Sequence, residues 1–119
     1  MDMSALPEPM RARLAAKNAM PPMEVLREFL MGDVADFSLD EVRDNLAEIA
    51  RGSTRSHERA LAAIEAVLTD PPPAGELLHL VSWYANRALR DKTDAGAAGF
   101  LREVADILRD VITEATPGR

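Results

Sequence analysis

The chain of 119 residues has no cysteine, so disulfides, thiolate zinc sites and cysteine nucleophiles are all excluded. A reducing cytoplasm is the compartment that this composition fits. Aromatic residues make up 4% of the chain, with a single Trp and a single Tyr, and β-branched residues are also few. That leaves little to build a sheet from. No apolar run approaches the ~18 residues that would cross a bilayer. The first residues lack the charged-then-apolar pattern of a secretory signal, and Pro7 and Pro9 interrupt them early. There is no glycine-rich phosphate loop. Only Lys17 and Lys92 are lysines, and the net charge is −6. A nucleic-acid binder draws most of its affinity from neutralising phosphates, so this balance argues against one. The expectation is a cytoplasmic protein that needs neither membrane, nucleic acid nor cofactor.

What remains is rich in Ala, Leu, Glu and Arg, the vocabulary of helices. The length suits one domain that can fold without staples. Residues 1–22 differ from the rest. They hold Pro7, Pro9, Pro21 and Pro22 and four of the six Met, and a short helical pattern over residues 10–19 makes them an N-terminal arm. Residues 23–116 form the helical domain, and residues 117–119 are a tail.

Pro22 suits the start of a helix over residues 23–31, with Val25 and Phe29 on its apolar side and Gly32 as its stop. Ser38 and Glu41 have the spacing of a capping box, which opens a helix carrying Val42, Leu46 and Ile49 and ending at Gly52. The next helix runs from about Ser53–Ser56 to Thr69, with Leu61, Ile64 and Leu68 as its stripe. Pro71, Pro72 and Pro73 stop it. A helix over residues 74–90 follows, apolar round so much of its circumference that it reads as the centre of the fold. Thr93 or Asp94 caps the last helix, whose stripe is Ala97, Leu101, Val104, Leu108 and Val111. Short connectors favour antiparallel neighbours. The predicted fold is all-α, an antiparallel up-and-down bundle of four main helices with a short helical N-terminal arm.

Two arrangements have the outline of a reactive site. Glu76 and His79 share a helical face, as the Glu-x-x-His pairs of di-iron bundles do, but such a site needs a second pair and two further carboxylates. The other histidine, His57, follows Arg55 and Ser56 with no Glu three positions before it, so no metal site is assigned. Ser53, Ser56 and His57 sit where a helix start wants small polar residues. Ser82 lies mid-helix, with His79 three positions away and no carboxylate to orient that imidazole. The reading is therefore non-enzymatic. A small helical metal protein or enzyme using Glu76 and His79 is the outlying alternative.

Charge distribution is the stronger signal. From Glu24 to Glu48 there are eight carboxylates against Arg27 and Arg43, a balance of −6, while the remainder has twelve of each sign. Asp40, Asp44 and Glu48 recur every fourth residue on one helical face, and Asp36 extends the line into the preceding loop. Like charges at this spacing cost a few tenths of a kcal/mol per pair, and Glu48 sits at the unfavourable end of the helix dipole. A solvated face that keeps the protein soluble is the bland account. A docking surface for a basic protein partner is the sharper one. Trp83 lies off the main apolar stripe, either as a core residue at the side of the bundle or as an exposed interface anchor. A homodimer that buries it, or the Met-rich arm, between protomers is the structural or regulatory alternative.

The run Phe29-Leu30-Met31-Gly32 followed by Ser38-Leu39-Asp40-Glu41, a short helix leading into a capped acidic helix, resembles small bacterial colicin-like immunity proteins. The resemblance implies a compact acidic helical protein that blocks a cognate toxin, often a basic nuclease. It also implies a boundary at Met23. The partner-binding residues would be Asp36, Asp40, Asp44 and Glu48, beside Trp83 as the candidate anchor.

Overall fold

The computed structural model describes residues 20–116, and among them every regular element is helical. Helix α1, Pro22–Phe29, widens into a π-turn over Leu30–Val34; α2 is Leu39–Ala50 and α3 is Arg55–Thr69. Helix α4, Glu76–His79, also widens into a π-turn, over Leu80–Tyr84, and α5 spans Asp94–Ala115. The expected helix over residues 10–19 and the tail lie outside the described residues.

The local signals for the helix starts hold. Pro21 and Pro22 open α1. Ser38 and Glu41 form the capping box of α2: the Glu41 amide donates to Ser38 Oγ at 3.2 Å, and the Ser38 amide donates to Glu41 Oε1 at 3.1 Å. Thr93 caps α5, accepting from the Gly96 amide at 3.2 Å. Asp94 does something else. Its two carboxylate oxygens accept from the amides of Gly75 (2.8 Å) and Leu78 (3.0 Å), so it caps the start of α4 from the first turn of α5. Gly75 turns the chain there with φ 89°, a conformation that a side chain resists.

Three expectations are corrected. Gly32 does not stop α1, because the chain continues through it to Val34. Among the described residues a Cβ at Gly32 would meet nothing within 4 Å, so this glycine serves no close approach; it only weakens the helix, and the wider π-turn carries the chain onward. The helix expected over residues 74–90 ends at Tyr84, since Asn86 takes a left-handed φ of 53°. It is also not the centre of the fold. Helix α5 packs against α2, α3 and α4, while α1 lies on α3. The buried side of α5 is Ala97, Phe100, Leu101, Val104, Ala105, Ile107, Leu108 and Val111. Each fully buried leucine of this kind contributes ~1.5–3 kcal/mol relative to exposure. The third correction concerns α3, whose buried face is His57, Ala60, Ala63, Ile64 and Val67, leaving Leu61 and Leu68 at its edge. The small side chains allow its neighbours to come close.

Candidate interaction surface

The two π-turns end alike and meet. In α1 the amide of Ala35 donates to Leu30 O at 2.8 Å, and Asp36 then turns left-handed with φ 67°. At the end of α4 Asn86 does the same, and the Arg87 amide closes the turn on Val81 O at 3.4 Å. Non-glycine residues rarely take this conformation; Asn and Asp tolerate it best because their short polar side chains find partners locally. Here they partner each other, Asn86 Nδ2 donating to Asp36 Oδ1 at 2.9 Å. Beside them Arg87 reaches across, with Nη2 donating to Val34 O at 3.3 Å and to Phe37 O. Its guanidinium lies 5.2 Å from the centre of the Phe100 ring. Arg87 thus supplies donors to carbonyls of the turn that follows α1, one of which, Val34 O, also accepts from the Phe37 amide at 3.3 Å.

Two open grooves share this turn. One, about 260 Å3, is lined by Met31, Ala35, Asp36, Trp83, Tyr84 and Asn86. The other, about 320 Å3, is lined by Gly32, Asp33, Phe37, Asn45, Glu48 and Ile49. Among the described residues the large apolar side chains left exposed are Met31 (57%), Ile49 (45%) and Trp83 (71%), and all three line these grooves. Trp83 is therefore an exposed aromatic rather than part of the core. The imidazole of His79 stacks parallel to it at 6.1 Å and meets Tyr84 edge-on at 5.8 Å.

The structure brings Asp36 and Trp83 together in one groove and puts Glu48 in the next. Asp40 and Asp44 are exposed on α2, which follows Asp36 in the chain. Glu48 pairs with Arg51 at 3.5 Å. The two bases of the acidic segment are engaged elsewhere: Arg43 pairs with Asp110 of α5 at 3.4 Å, and Arg27 sits 5.9 Å over the Tyr84 ring. Asp40 and Asp44 are left with no ion pair among the described residues, so the outward face keeps its negative charge. Burial raises the carboxyl of Asp33 above its ordinary range, and His57 pulls it partly back.

His57 is 2% exposed, and its Nε2 donates to Leu46 O at 2.8 Å, tying α3 to α2. Ser56 Oγ stands 3.5 Å from His57 Nδ1, at the limit of a hydrogen bond. Glu76 and His79 border a separate groove with Met23, Leu80 and Tyr84. Among the described residues no three His, Cys, Asp or Glu side chains gather as metal ligands, and no helix is long and apolar enough to cross a membrane.

Asn86, Arg87 and Met31 were not singled out by the sequence, and Ile49, expected in the apolar stripe with Val42 and Leu46, is instead exposed, because Ala50 takes the buried position in the last turn of α2. The adjacent Asn-Arg pair inside an otherwise apolar run was the available signal, since Asn is the residue most at ease in a left-handed turn. The chain matches no protein-family model, and no curated protein or solved structure matches it.

Proposed function

We propose that this chain is a non-enzymatic protein-binding module that docks a basic protein through the acidic turn and the outer face of α2. One observation carries the reading: the three exposed large apolar side chains, Met31, Ile49 and Trp83, border grooves that also hold Asp36 and Glu48. An apolar centre with a charged rim is the usual anatomy of a protein interface. Asp40 and Asp44 extend the rim and steer a cationic partner toward it. A toxin-blocking, immunity-type role fits this chemistry, with inhibition by steric and electrostatic occlusion. The scaffold in this reading is an up-and-down bundle whose short connectors keep neighbouring helices antiparallel.

Co-expression with a basic toxin domain encoded beside the gene, followed by a pull-down at increasing salt, tests the proposal. Capture that weakens as salt rises is expected, as is further loss when Asp40→Lys and Asp44→Lys are combined. Salt-independent capture that ignores both substitutions would refute the acidic-face reading. The same exposed apolar side chains favour a second reading, a homodimer closed over Trp83. A monomer by sedimentation at micromolar concentration removes it.

A further inference from the structure

Resting on the basic-partner reading, we infer that the groove of Met31, Ala35, Asp36, Trp83, Tyr84 and Asn86 is a receptor for a single arginine side chain of that partner. The groove has the two components that a guanidinium recognises. One is an open aromatic surface: Trp83 is 71% exposed, the parallel His79 ring is the one ring stacked on it among the described residues, and His79 is not part of this groove's lining. A planar cation is attracted to such a face. The other is a carboxylate held in place. Asp36 is fixed by its own left-handed turn and by the bond that Oδ1 accepts from Asn86, while Oδ2 has no partner among the described residues.

Among the described residues the neighbouring cations do not fill the groove. Arg27 is occupied over the Tyr84 ring, and Arg87 Nη2 is committed to the carbonyls of Val34 and Phe37 while its guanidinium covers the Phe100 ring. Met31 adds a flexible, polarizable wall suited to the methylene stem of the incoming side chain. An arginine matches this site better than a lysine, because its flat guanidinium both stacks on the indole and presents paired N–H groups to a carboxylate.

Trp83 is the sole tryptophan, so its indole N–H gives one assignable resonance. The experiment titrates 15N-labelled protein at constant ionic strength with N-acetyl-arginine amide, the uncharged isostere N-acetyl-citrulline amide, N-acetyl-lysine amide and, separately, decalysine. Saturable movement of the Trp83 indole and Asn86 side-chain signals with arginine is expected, several-fold weaker with lysine and absent with citrulline. Asp36→Asn keeps the Oδ1 acceptor and tolerates the left-handed turn, so it should leave the spectrum folded and weaken the arginine response roughly tenfold. Equal responses to arginine and citrulline, or an arginine response that never saturates, would overturn the inference. So would an indole signal that moves with protein concentration alone, since a second copy would then occupy the groove. Decalysine separates this inference from the broader reading. If it moves the amides around Asp40, Asp44 and Glu48 while arginine leaves the indole still, the acidic face stands and the arginine receptor falls. The reverse pattern keeps the receptor and removes the face.

Discussion

Asn86 and Asp36, fifty residues apart in the chain, each hold a left-handed backbone at the end of a π-widened helix, and each satisfies the other through a 2.9 Å hydrogen bond. This contact joins the end of α1 to the end of α4 and builds the wall of the groove beside Trp83. The left-handed conformation costs an ordinary L-residue ~1–2 kcal/mol. Asn86→Gly relieves the backbone and removes only the bond, for a loss of ~1 kcal/mol or less. Asn86→Leu removes the bond and adds the strain, for a loss of ~2 kcal/mol. Urea unfolding of the two variants measures the difference, and equal midpoints would show that the backbone turn carries no cost.

Arg87 is the stronger tie. It spans from the chain after α4 to two carbonyls near the end of α1 while covering the Phe100 ring of α5. Arg87→Met leaves the carbonyls without these donors, and a loss of ~2–3 kcal/mol is expected. Arg87→Lys should be nearly as damaging, because an ammonium does not reproduce the planar fork or the stacking. A lysine variant with wild-type stability would mean that charge alone suffices at this position.

Signals that act within one turn of chain were legible in the sequence. Pro22, the pair Ser38 and Glu41, and Thr93 begin helices where their chemistry says they should. The stripe of α5 is also buried as its spacing implies. What was not legible depends on distant partners. The apolar pattern of residues 74–90 is that of a continuous helix, yet the chain breaks at Asn86 because Asp36, Val34 and Phe37 offer its polar groups partners there. Trp83 does lie off the buried stripe of Leu77, Leu80, Val81 and Ala85, as its spacing implies, but whether it is covered at the side of the bundle or left exposed depends on what packs beside α4. Asp94 shows the same limit: its position named it as a cap, but the helix it caps is α4 rather than its own.

Two glycines of α5 should respond to alanine with opposite signs. A Cβ on Gly96 would clash with the Asp91 carbonyl oxygen, which is backbone and cannot swing aside. Gly96→Ala should therefore break the turn that Thr93 caps and lower stability by at least ~1–3 kcal/mol, the usual range for forced overpacking. Among the described residues, nothing lies within 4 Å of the corresponding position on Gly99. Gly99→Ala should raise stability by ~0.5–1 kcal/mol through helix propensity alone. Thermal unfolding of both variants checks the pair, and a stabilised Gly96→Ala would show that the Asp91 turn yields freely.

Acid should act on this protein in two opposed ways. The amides of Gly75 and Leu78 hold the Asp94 carboxyl below its ordinary range, and the Ser38 amide and hydroxyl do the same for Glu41. A carboxyl depressed in the folded state contributes stability above its unfolded pKa, near 4, and that contribution is lost as pH falls through the folded value. Asp33 has the opposite sign. Burial raises its carboxyl, so its charged form disfavours folding at neutral pH, and protonation on acidification relieves the penalty. Urea midpoints between pH 7 and pH 3 should therefore fall less steeply for Asp94→Asn than for the parent, from a lower start. Asp33→Asn should start higher at pH 7 and fall more steeply, having lost the group that gains on protonation. Parallel profiles for the parent and Asp33→Asn would mean that the Asp33 carboxyl is as well solvated in the folded protein as in the unfolded chain.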